Sequence, residues 1–421
     1  ISRKNAYFAF ALLFLLYMFD YIDRLVIVSL FPFLQAEWGL SDTQCGLLVS
    51  AVYWSILLFS FPVSVLVDRW SRKKTIGLMS ILWSMATLAC VFTKNFKQLF
   101  IARTAIGVGE AGYAPGGTAL ISALFPESQR AKMLGIWNAA IPFGSALGIA
   151  LGGIIAERYG WRHAFGIVAL PGLVFAVLFF WVKDYRTVDL VRDAGSTANI
   201  QPVKMSKQDI VREFIQRKSL LFNNLAFAAN VFVTTSLLSW MPTYFHRVEG
   251  LDMSKAGTKS GLIMFMAIIG APLGGYIADR WRRRRPGARM LLPAITSISA
   301  GILLFVAMTF LEGRLQYGML LFVGVTIIMF VPSAVSVTQD VVHPGLRAIS
   351  LSINIVIQHT LGSPLGPLFV GAVSDAYGLT TAVQWLPAFT LLAGILFWIG
   401  SFYYEKDLKA VAKIEVKIEE S

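Results

Sequence analysis

The sequence predicts an all-α membrane protein with twelve transmembrane helices in two six-helix bundles. Hydrophobic residues make up 56% of its 421 residues and charged residues only 14%, whereas soluble domains carry about 25% charged residues. The apolar residues are gathered in stretches long enough to cross a bilayer. We therefore expect an integral, multi-pass protein of the plasma or inner membrane.

The apolar stretches give the predicted spans in chain order. We place them at residues 6–35, 42–67, 74–93, 97–125, 128–156, 162–183, 218–246, 254–279, 287–311, 315–341, 346–375 and 379–404. The first stretch is too long for a signal peptide and lacks a small-residue cleavage site, so we expect it to be retained as a helix.

The placement of charge predicts the orientation of the chain. The net charge is +13, and most of the 37 lysines and arginines fall in segments on one side of the predicted spans. The positive-inside rule then places both the N-terminus and the C-terminus in the cytosol. This positive charge faces the cytosol and lipid headgroups, so a nucleic-acid partner is not expected.

The polar stretches divide the chain into four parts. Residues 1–183 form the predicted N-terminal bundle, and residues 218–404 form the C-terminal bundle. Between them lies a cytoplasmic linker at 184–217, whose second part has the pattern of an amphipathic helix on the membrane surface. A cytoplasmic tail follows at 405–421.

Short motifs recur in the same order in both halves. VDRWSRKK at 67–74 recurs as ADRWRRRR at 278–285, and AERYGW at 156–161 recurs as SDAYGL at 374–379. These matches indicate a parallel duplication of a six-helix unit. Such a repeat predicts two bundles related by an axis along the membrane normal, with a central site between them.

Charged residues lie inside the first and fourth predicted spans. They are Asp20, Asp23 and Arg24 in the first span, and Arg103 and Glu110 in the fourth. A charge in the bilayer interior is costly and usually marks a substrate or ion pathway. Arg103 and Glu110 are two helical turns apart and so share a face.

These charges suggest a division of roles. A carboxyl group can bind and release a proton, and an arginine keeps its charge and offers a planar fork of donors to an anion. We predict that Asp23, Glu110 and Asp20 take part in proton coupling, and that Arg24 and Arg103 bind substrate. The alternative is a fully paired network that only locks helices together.

Uncharged polar residues in other spans are further candidates for substrate contacts. They are Asn138 in the fifth span, Asn230 in the seventh, and Asn354 and Gln358 in the eleventh. Hydrogen bonding between helices remains the alternative for each of them. His359 is a weaker candidate for carrying a proton. The two cysteines and four histidines show no metal-ligand spacing, so no metal or other cofactor is expected beyond the coupling proton.

The repeated basic loop resembles the signature loop of the major facilitator superfamily, Gly-x-x-x-Asp-Arg/Lys-x-Gly-Arg/Lys-Arg/Lys. In the first copy Ser64 and Ser71 replace the two glycines. An aspartate and arginines at the inner helix ends can form a charged latch that holds one transport state. The residues predicted to form it are Asp68, Arg69, Arg72, Asp279 and Arg280.

Within that superfamily the first half is similar to the spinster-type transporters. The similarity rests on YIDR at 21–24, ARTAIGVGEAGYAPGG at 102–117, FPESQRAKMLGI at 125–136 and IPFGSALG at 141–148. The acid and arginine pairs also resemble those of the anion–cation symporters for sugar acids. The first resemblance implies a lysolipid-like substrate, and the second implies a small carboxylate.

Together these features predict a secondary active transporter that works by alternating access. We expect it to be a monomer that couples protons, in symport, to the movement of an anionic or amphiphilic organic solute, either lysolipid-like or an organic acid. A proton-coupled symporter of small carboxylates or sugar acids is the alternative. A channel and a non-transporting receptor are rivals from other classes. An enzyme is not expected, because the sequence contains no catalytic triad, metal cluster or phosphate-binding loop.

Overall fold

A computed structural model describes residues 3–69, 72–182, 214–343 and 346–411. The described residues form helices and short connections, without a β-strand. The fold is therefore all-α, as predicted from the sequence. Most of the predicted linker at 184–217 and the end of the predicted tail lie outside the described residues.

The first half contains six helices within the described residues. They are α1 (Arg3–Leu25, a 3-10 turn at Val26–Ser29, then Phe31–Trp38), α2 (Asp42–Arg69), α3 (Arg72–Cys90), α4 (Phe96–Glu110 and Tyr113–Leu124), α5 (Glu127–Asn138 and Ala140–Tyr159) and α6 (Trp161–Phe179). Both α1 and α4 are interrupted immediately after a charged residue of the predicted site.

The second half repeats this pattern. Its helices are α7 (Lys218–Arg247), α8 (Met253–Phe265 and Ala267–Arg282), α9 (Ala288–Phe310), α10 (Gly313–Thr326 and Val331–Asp340), α11 (Arg347–Ile357, a π-helical turn at Gln358–Gly362, then Leu365–Tyr377) and α12 (Leu379–Gln384 and Leu386–Lys409). Eight of the described helices are long and apolar enough to cross a membrane by length and composition. The charge-bearing α1 and α4 are not among these eight.

The backbone repeats where the sequence repeats. Gly160 ends α5 with φ of 90° and ψ of 153°, and Gly378 ends α11 with φ of 86° and ψ of 155°. Residues with side chains rarely adopt this conformation, so glycine is needed at both corners. The two corners lie in AERYGW and SDAYGL, and they support the internal duplication.

Glycines allow close packing within the first half. Helix α1 packs along α5 and α6, and α4 packs against α2 and α3. A Cβ atom at Gly144, Gly148 or Gly152 of α5 would collide with backbone carbonyls of α1. This glycine stripe brings the backbones of α5 and α1 into contact, and so fixes the helix that carries three of the five predicted buried charges.

The two halves meet along two pairs of helices, α5 with α8 and α2 with α11. Gly153 of α5 faces the carbonyl of Met253, and Gly257 of α8 faces the carbonyl of Ile149. A side chain at either glycine would push into the backbone of the other half. We call these contacts the outer seam, because they lie toward the ends that the charge rule places away from the cytosol.

Two acids close the outer seam by capping helices of the opposite half. Glu157 of the first half accepts hydrogen bonds from the backbone N–H and the hydroxyl of Ser254, at the start of α8. Asp375 of the second half accepts from the backbone N–H groups of Asp42 and Thr43, at the start of α2. Acids are favourable at helix N-termini, where backbone N–H groups have no helical partner.

An ion pair adds a further contact across the outer seam. The Nη1 and Nη2 atoms of Arg247 in α7 donate to the two carboxylate oxygens of Asp42 in α2, at 2.7 and 2.9 Å, and Nη2 also donates to Gln35. Ser374 of α11 also donates to Asp42. The halves are therefore joined at the ends that the charge rule places outside the cytosol.

Gly153→Val is expected to open the outer seam, because the new side chain meets the Met253 carbonyl of the other half. Native Cys45, which is fully buried in α2 near the seam, provides the reporter in a Cys90→Ser background. We expect an impermeant maleimide to label Cys45 on the order of tenfold faster, as a shift of about 1.4 kcal/mol toward the open state would give.

Gly135→Val is the matched control, because the same helix has open space around Gly135. Equal labelling of Cys45 in the Gly153 and Gly135 variants would show that the seam does not control access from outside.

Candidate functional site

A buried ion-pair cluster joins α1 to α4. The Arg24 Nη2 atom lies 3.1 Å from Oδ2 of Asp20, one turn earlier in α1, and 2.8 Å from Oε2 of Glu110, the last residue before the break in α4. All three side chains are buried. We call Asp20, Arg24 and Glu110 the charge cluster; two carboxyl groups share one guanidinium in it.

The composition of the charge cluster determines its charge balance. With both carboxyl groups ionised the cluster carries one net negative charge, and with one proton bound it is neutral. An unbalanced charge in a buried, low-dielectric site costs several kcal/mol. One bound proton would balance the three side chains of the cluster, and the positive charge of Arg103, which donates to the Arg24 carbonyl, adds to the same balance.

Arg103 donates hydrogen bonds to backbone carbonyls of two helices. Its Nε atom donates to the carbonyl of Leu48 in α2 at 3.2 Å, and its Nη1 and Nη2 atoms donate to the carbonyls of Asp23 and Arg24 at 3.1 and 2.8 Å. The α-helical part of α1 ends at Leu25, and carbonyls at a helix end need other donors. Arg103 is fully buried and satisfies these carbonyls. The predicted substrate contact of Arg103 stays untested, and the geometry favours a positioning role.

Asp23 points away from the charge cluster, toward α3 and α6. A Cβ atom placed on Gly172 of α6 would lie 3.8 Å from its Oδ2 atom. Asp23 is fully buried, and neither carboxyl oxygen has a hydrogen-bond partner among the described residues. The nearby Thr87 hydroxyl donates to the Trp83 carbonyl instead. An ionised carboxylate in this place lacks compensation, which makes Asp23 a second candidate for proton binding.

Aromatic rings pack beside the charge cluster, and we call those of Tyr17, Tyr21, Tyr53 and Trp137 the aromatic wall. The Arg24 guanidinium lies over the rings of Tyr21 and Tyr53, at 4.6 and 5.6 Å from their centroids. One turn before Asp20, Tyr17 stacks on Trp137 with the ring centroids 4.2 Å apart. The wall is apolar, and it offers ring faces that stabilise a cation.

The polar residues predicted in the second half divide into buried and accessible ones. Asn230 donates to Ser297, and Asn354 donates to Asn224, both at 2.8 Å. Asn230 and Asn354 are fully buried and join helices within their own half. Gln358, which donates to Asn354, is only half-buried.

Asn138 and His359 are also accessible. Asn138 is exposed at the break in α5. His359, on the π-helical turn of α11, is half-buried and meets the ring of Tyr53 edge-on, with the centroids 6.0 Å apart. This contact crosses between the halves beside Arg24.

The second copy of the predicted latch contains an acid that the sequence analysis missed. Oδ1 of Asp279 lies 3.4 Å from Nη2 of Arg289, and Arg289 also pairs with Asp340. Asp340 lies at the inner end of α10. Its Oδ2 atom is 3.3 Å from Nε of Arg289 and 3.7 Å from Nη2 of Arg282, and it accepts a hydrogen bond from the Tyr404 hydroxyl. Its position at a predicted helix end, opposite a run of arginines, is the signal that could have identified it.

The remaining latch residues are less informative. Arg280 is exposed at the inner end of α8. The side chains of Asp68, Arg69 and Arg72 lie outside the described residues, so the latch predicted for the first copy stays a prediction.

The outer seam also contains residues that the sequence analysis did not single out. Glu157 and Asp375 occupy equivalent places in AERYGW and SDAYGL, and each caps a helix of the other half. The repeat was evident in the sequence, but the exchange of caps between the halves required the structure.

The fold and the central buried charges define a membrane transporter, and comparison with known proteins gives its family. The family model described as Major Facilitator Superfamily matches residues 13–367. The chain belongs to this superfamily, and it is therefore a multi-pass integral membrane protein and a transporter rather than an enzyme.

Two relatives show where the chain lies within the superfamily. It is 27% identical to the "Probable sphingolipid transporter spinster homolog 1" of Arabidopsis thaliana over 92% of this chain and 83% of that protein. It is 28% identical to the "Hexuronate transporter" of Bacillus subtilis over 63% of each chain. Both branches that the sequence resembles are thus represented.

A solved structure shares the fold. The crystal structure of a bacterial homolog to the human lysosomal transporter spinster, in an inward-facing and unoccupied conformation, superposes with a TM-score of 0.85 at 22% identity. The match covers 97% of this chain and 99% of that one.

Arg103→Lys is expected to lower stability although it keeps the charge. An ammonium group cannot reach three carbonyls on two helices at once, and each buried carbonyl left without a donor costs about 1–3 kcal/mol. We expect a thermal unfolding temperature lower by several degrees in detergent. Arg162→Lys is the control, because Arg162 pairs with Glu37 at the surface, where such pairs contribute about 0–1 kcal/mol.

The opposite outcome would revise the role of Arg103. Loss of anion binding with an unchanged unfolding temperature would return Arg103 to the predicted role of substrate contact.

Proposed function

We propose that the chain is a proton-coupled symporter that moves an anionic organic solute by alternating access. The observation that carries the proposal is the charge cluster, in which Arg24 is held by both Asp20 and Glu110. One permanent positive charge and two carboxyl groups provide an anion site and a proton site within a few ångströms of each other.

Charge balance would link the two binding events. A proton on Glu110 neutralises the cluster and frees one side of the Arg24 guanidinium, while Asp20 continues to hold the other side in place. The free guanidinium can then take a carboxylate or phosphate group through its planar fork of donors. Proton and anion binding thus support each other, which is the sign required for symport. An exchanger of protons for the anion requires the opposite sign.

Asp23 provides a second place for a proton. It neighbours Arg24 in α1, and Arg103 binds its backbone carbonyl. A change in the charge of Asp23 would act on the same helix break that Arg103 holds. We propose that Asp23 and Glu110 together carry the coupling protons, with Asp20 as the partner that keeps Arg24 in place.

Alternating access would act through the outer seam. The helix caps and the Arg247–Asp42 ion pair join the halves by polar contacts, and glycines allow their backbones to touch. The capping contacts lie at an exposed surface and can be exchanged for water at small net free energy, whereas breaking the Arg247–Asp42 pair also uncovers the buried carboxylate of Asp42. The seam can therefore open as the inner ends close, without disturbing the buried core of either half.

The aromatic wall favours an amphiphilic solute. Arg24 would hold the anionic head, and the apolar part would lie along the half-buried ring of Tyr21. A relative whose name states that it is a probable sphingolipid transporter is consistent with such a solute.

A small carboxylate or sugar acid is the second candidate, favoured by the relative named a hexuronate transporter. Ligand stabilisation of the purified protein by oleoyl lysophosphatidic acid and by glucuronate would decide between the two classes. The probe that raises the unfolding temperature identifies the class, and the proposal of an amphiphile fails if only glucuronate does so.

Glu110→Gln and Asp23→Asn are expected to uncouple transport from the proton gradient, because each removes a buried group that can bind a proton. In proteoliposomes with an imposed pH gradient, the internal concentration of the probe that stabilises the protein should rise no higher than its external concentration. Exchange of internal for external probe should continue. Glu37→Gln, at an exposed acid of α1, should leave both activities unchanged. Undiminished accumulation in both buried-acid variants would contradict the proton role.

Arg24→Gln is expected to weaken anion binding by about 100-fold or more, as the loss of a charge-assisted pair of about 3 kcal/mol implies. Arg24→Lys should be intermediate, since it keeps the charge and loses the fork. In the wild type, affinity for the anion should rise as the pH falls, because protonation of the cluster frees Arg24. Affinity that rises with pH instead would establish exchange rather than symport.

A further inference from the structure

The π-helical turn of α11 is held rigidly against α7. Gln358, its first residue, donates to Asn354, which in turn donates to Asn224 of α7. At the other end of the turn, a Cβ atom on Gly362 would lie 2.8 Å from the Ala228 carbonyl of α7, so only glycine fits easily. Isolated π-helical turns inside α-helices frequently mark functional sites.

A contact with the backbone of this turn assigns the tautomer of the neutral His359 ring. Its Nδ1 atom lies 3.2 Å from the carbonyl oxygen of Ile355. A carbonyl can only accept a hydrogen bond, so the proton of the neutral ring is on Nδ1 and Nε2 is an acceptor. Among the described residues, no hydrogen bond to Nε2 is formed, and the ring is half-buried.

The position of His359 places this acceptor opposite the anion site. Its ring contacts Tyr53 of the first half, and the Tyr53 ring lies 5.6 Å from the Arg24 guanidinium. The two halves thus differ in chemistry where they meet at Tyr53. The first half offers a permanent cation, and the second half offers a hydrogen-bond acceptor on a rigid turn.

We propose that His359 Nε2 accepts a hydrogen bond from a donor on the substrate, next to the anionic group held by Arg24. The substrate class is then an anion with a neighbouring hydroxyl group. A hydroxyl fits better than an ammonium group because it adds no positive charge beside Arg24. This inference rests on the proposed anion site, and it assigns to His359 a role in specificity rather than in carrying protons.

The test compares two probes that differ by one hydroxyl group, hexadecyl phosphate and 2-hydroxyhexadecyl phosphate. The purified wild-type protein should bind the hydroxylated probe about tenfold more tightly, as one net hydrogen bond of about 1.4 kcal/mol implies. His359→Phe should bind both probes with equal affinity, because the acceptor that distinguishes them is removed. His359→Gln, which retains an acceptor, should keep part of the preference.

The controls separate this inference from the proposed function. His163→Phe, at an exposed histidine of α6, should keep the full preference. A wild type without preference, or a folded His359→Phe that keeps it, would overturn the inference and leave the anion site standing. Arg24→Gln should weaken both probes equally. If Arg24→Gln binds both as well as the wild type does, the anion site itself is wrong.

Discussion

The sharing of one guanidinium by two carboxyl groups is the interaction on which the rest of the site depends. Arg24 cannot lose its proton at any workable pH, so a buried position requires negative partners. Asp20 supplies one from the same helix, and Glu110 supplies the other from α4. Only one negative charge is needed to balance Arg24. The second carboxyl group adds a negative charge that a proton or the neighbouring Arg103 guanidinium can balance, and in the proposed function it is the group that binds the coupling proton.

The helix breaks follow from the same constraint. Both α1 and α4 are interrupted beside the charge cluster, and a break leaves backbone carbonyls without donors. Arg103 satisfies the carbonyls of Asp23 and Arg24, and it fastens them to α2 through Leu48. Two arginines in neighbouring helices thus have different tasks. Arg24 faces groups that can exchange partners, and Arg103 holds the backbone from which Arg24 extends. Discontinuous helices at a central site are a recurring feature of transporters.

Much of this arrangement could be predicted from the sequence, and the limits have physical reasons. Hydropathy located the helices, whose ends lie within a few residues of those predicted, because bilayer thickness fixes their length. The cost of buried charge singled out Asp20, Asp23, Arg24, Arg103 and Glu110. Spacing along a helix tells which residues share a face, but it does not tell which donors they meet. The contacts of Arg103 with carbonyls at the break in α1 could therefore not be predicted, and its predicted contact with substrate stays a prediction. The exchange of helix caps by Glu157 and Asp375 depends on how the halves pack, which local sequence does not encode.

The duplication is symmetric at the outer seam and asymmetric at the centre, and this combination suits a coupled transporter. At the seam, equivalent acids of the two halves cap equivalent helices of the opposite half, so the halves can separate and rejoin as similar rigid bodies. At the centre, the first half holds the ion-pair cluster, and the described second half faces it with uncharged polar groups on a rigid turn. Motion needs two bodies of similar shape, but coupling needs proton and anion to be balanced against the same guanidinium. Keeping the charge cluster in one half allows the other half to approach or withdraw without breaking that cluster, so that opening the seam breaks the Arg247–Asp42 pair instead.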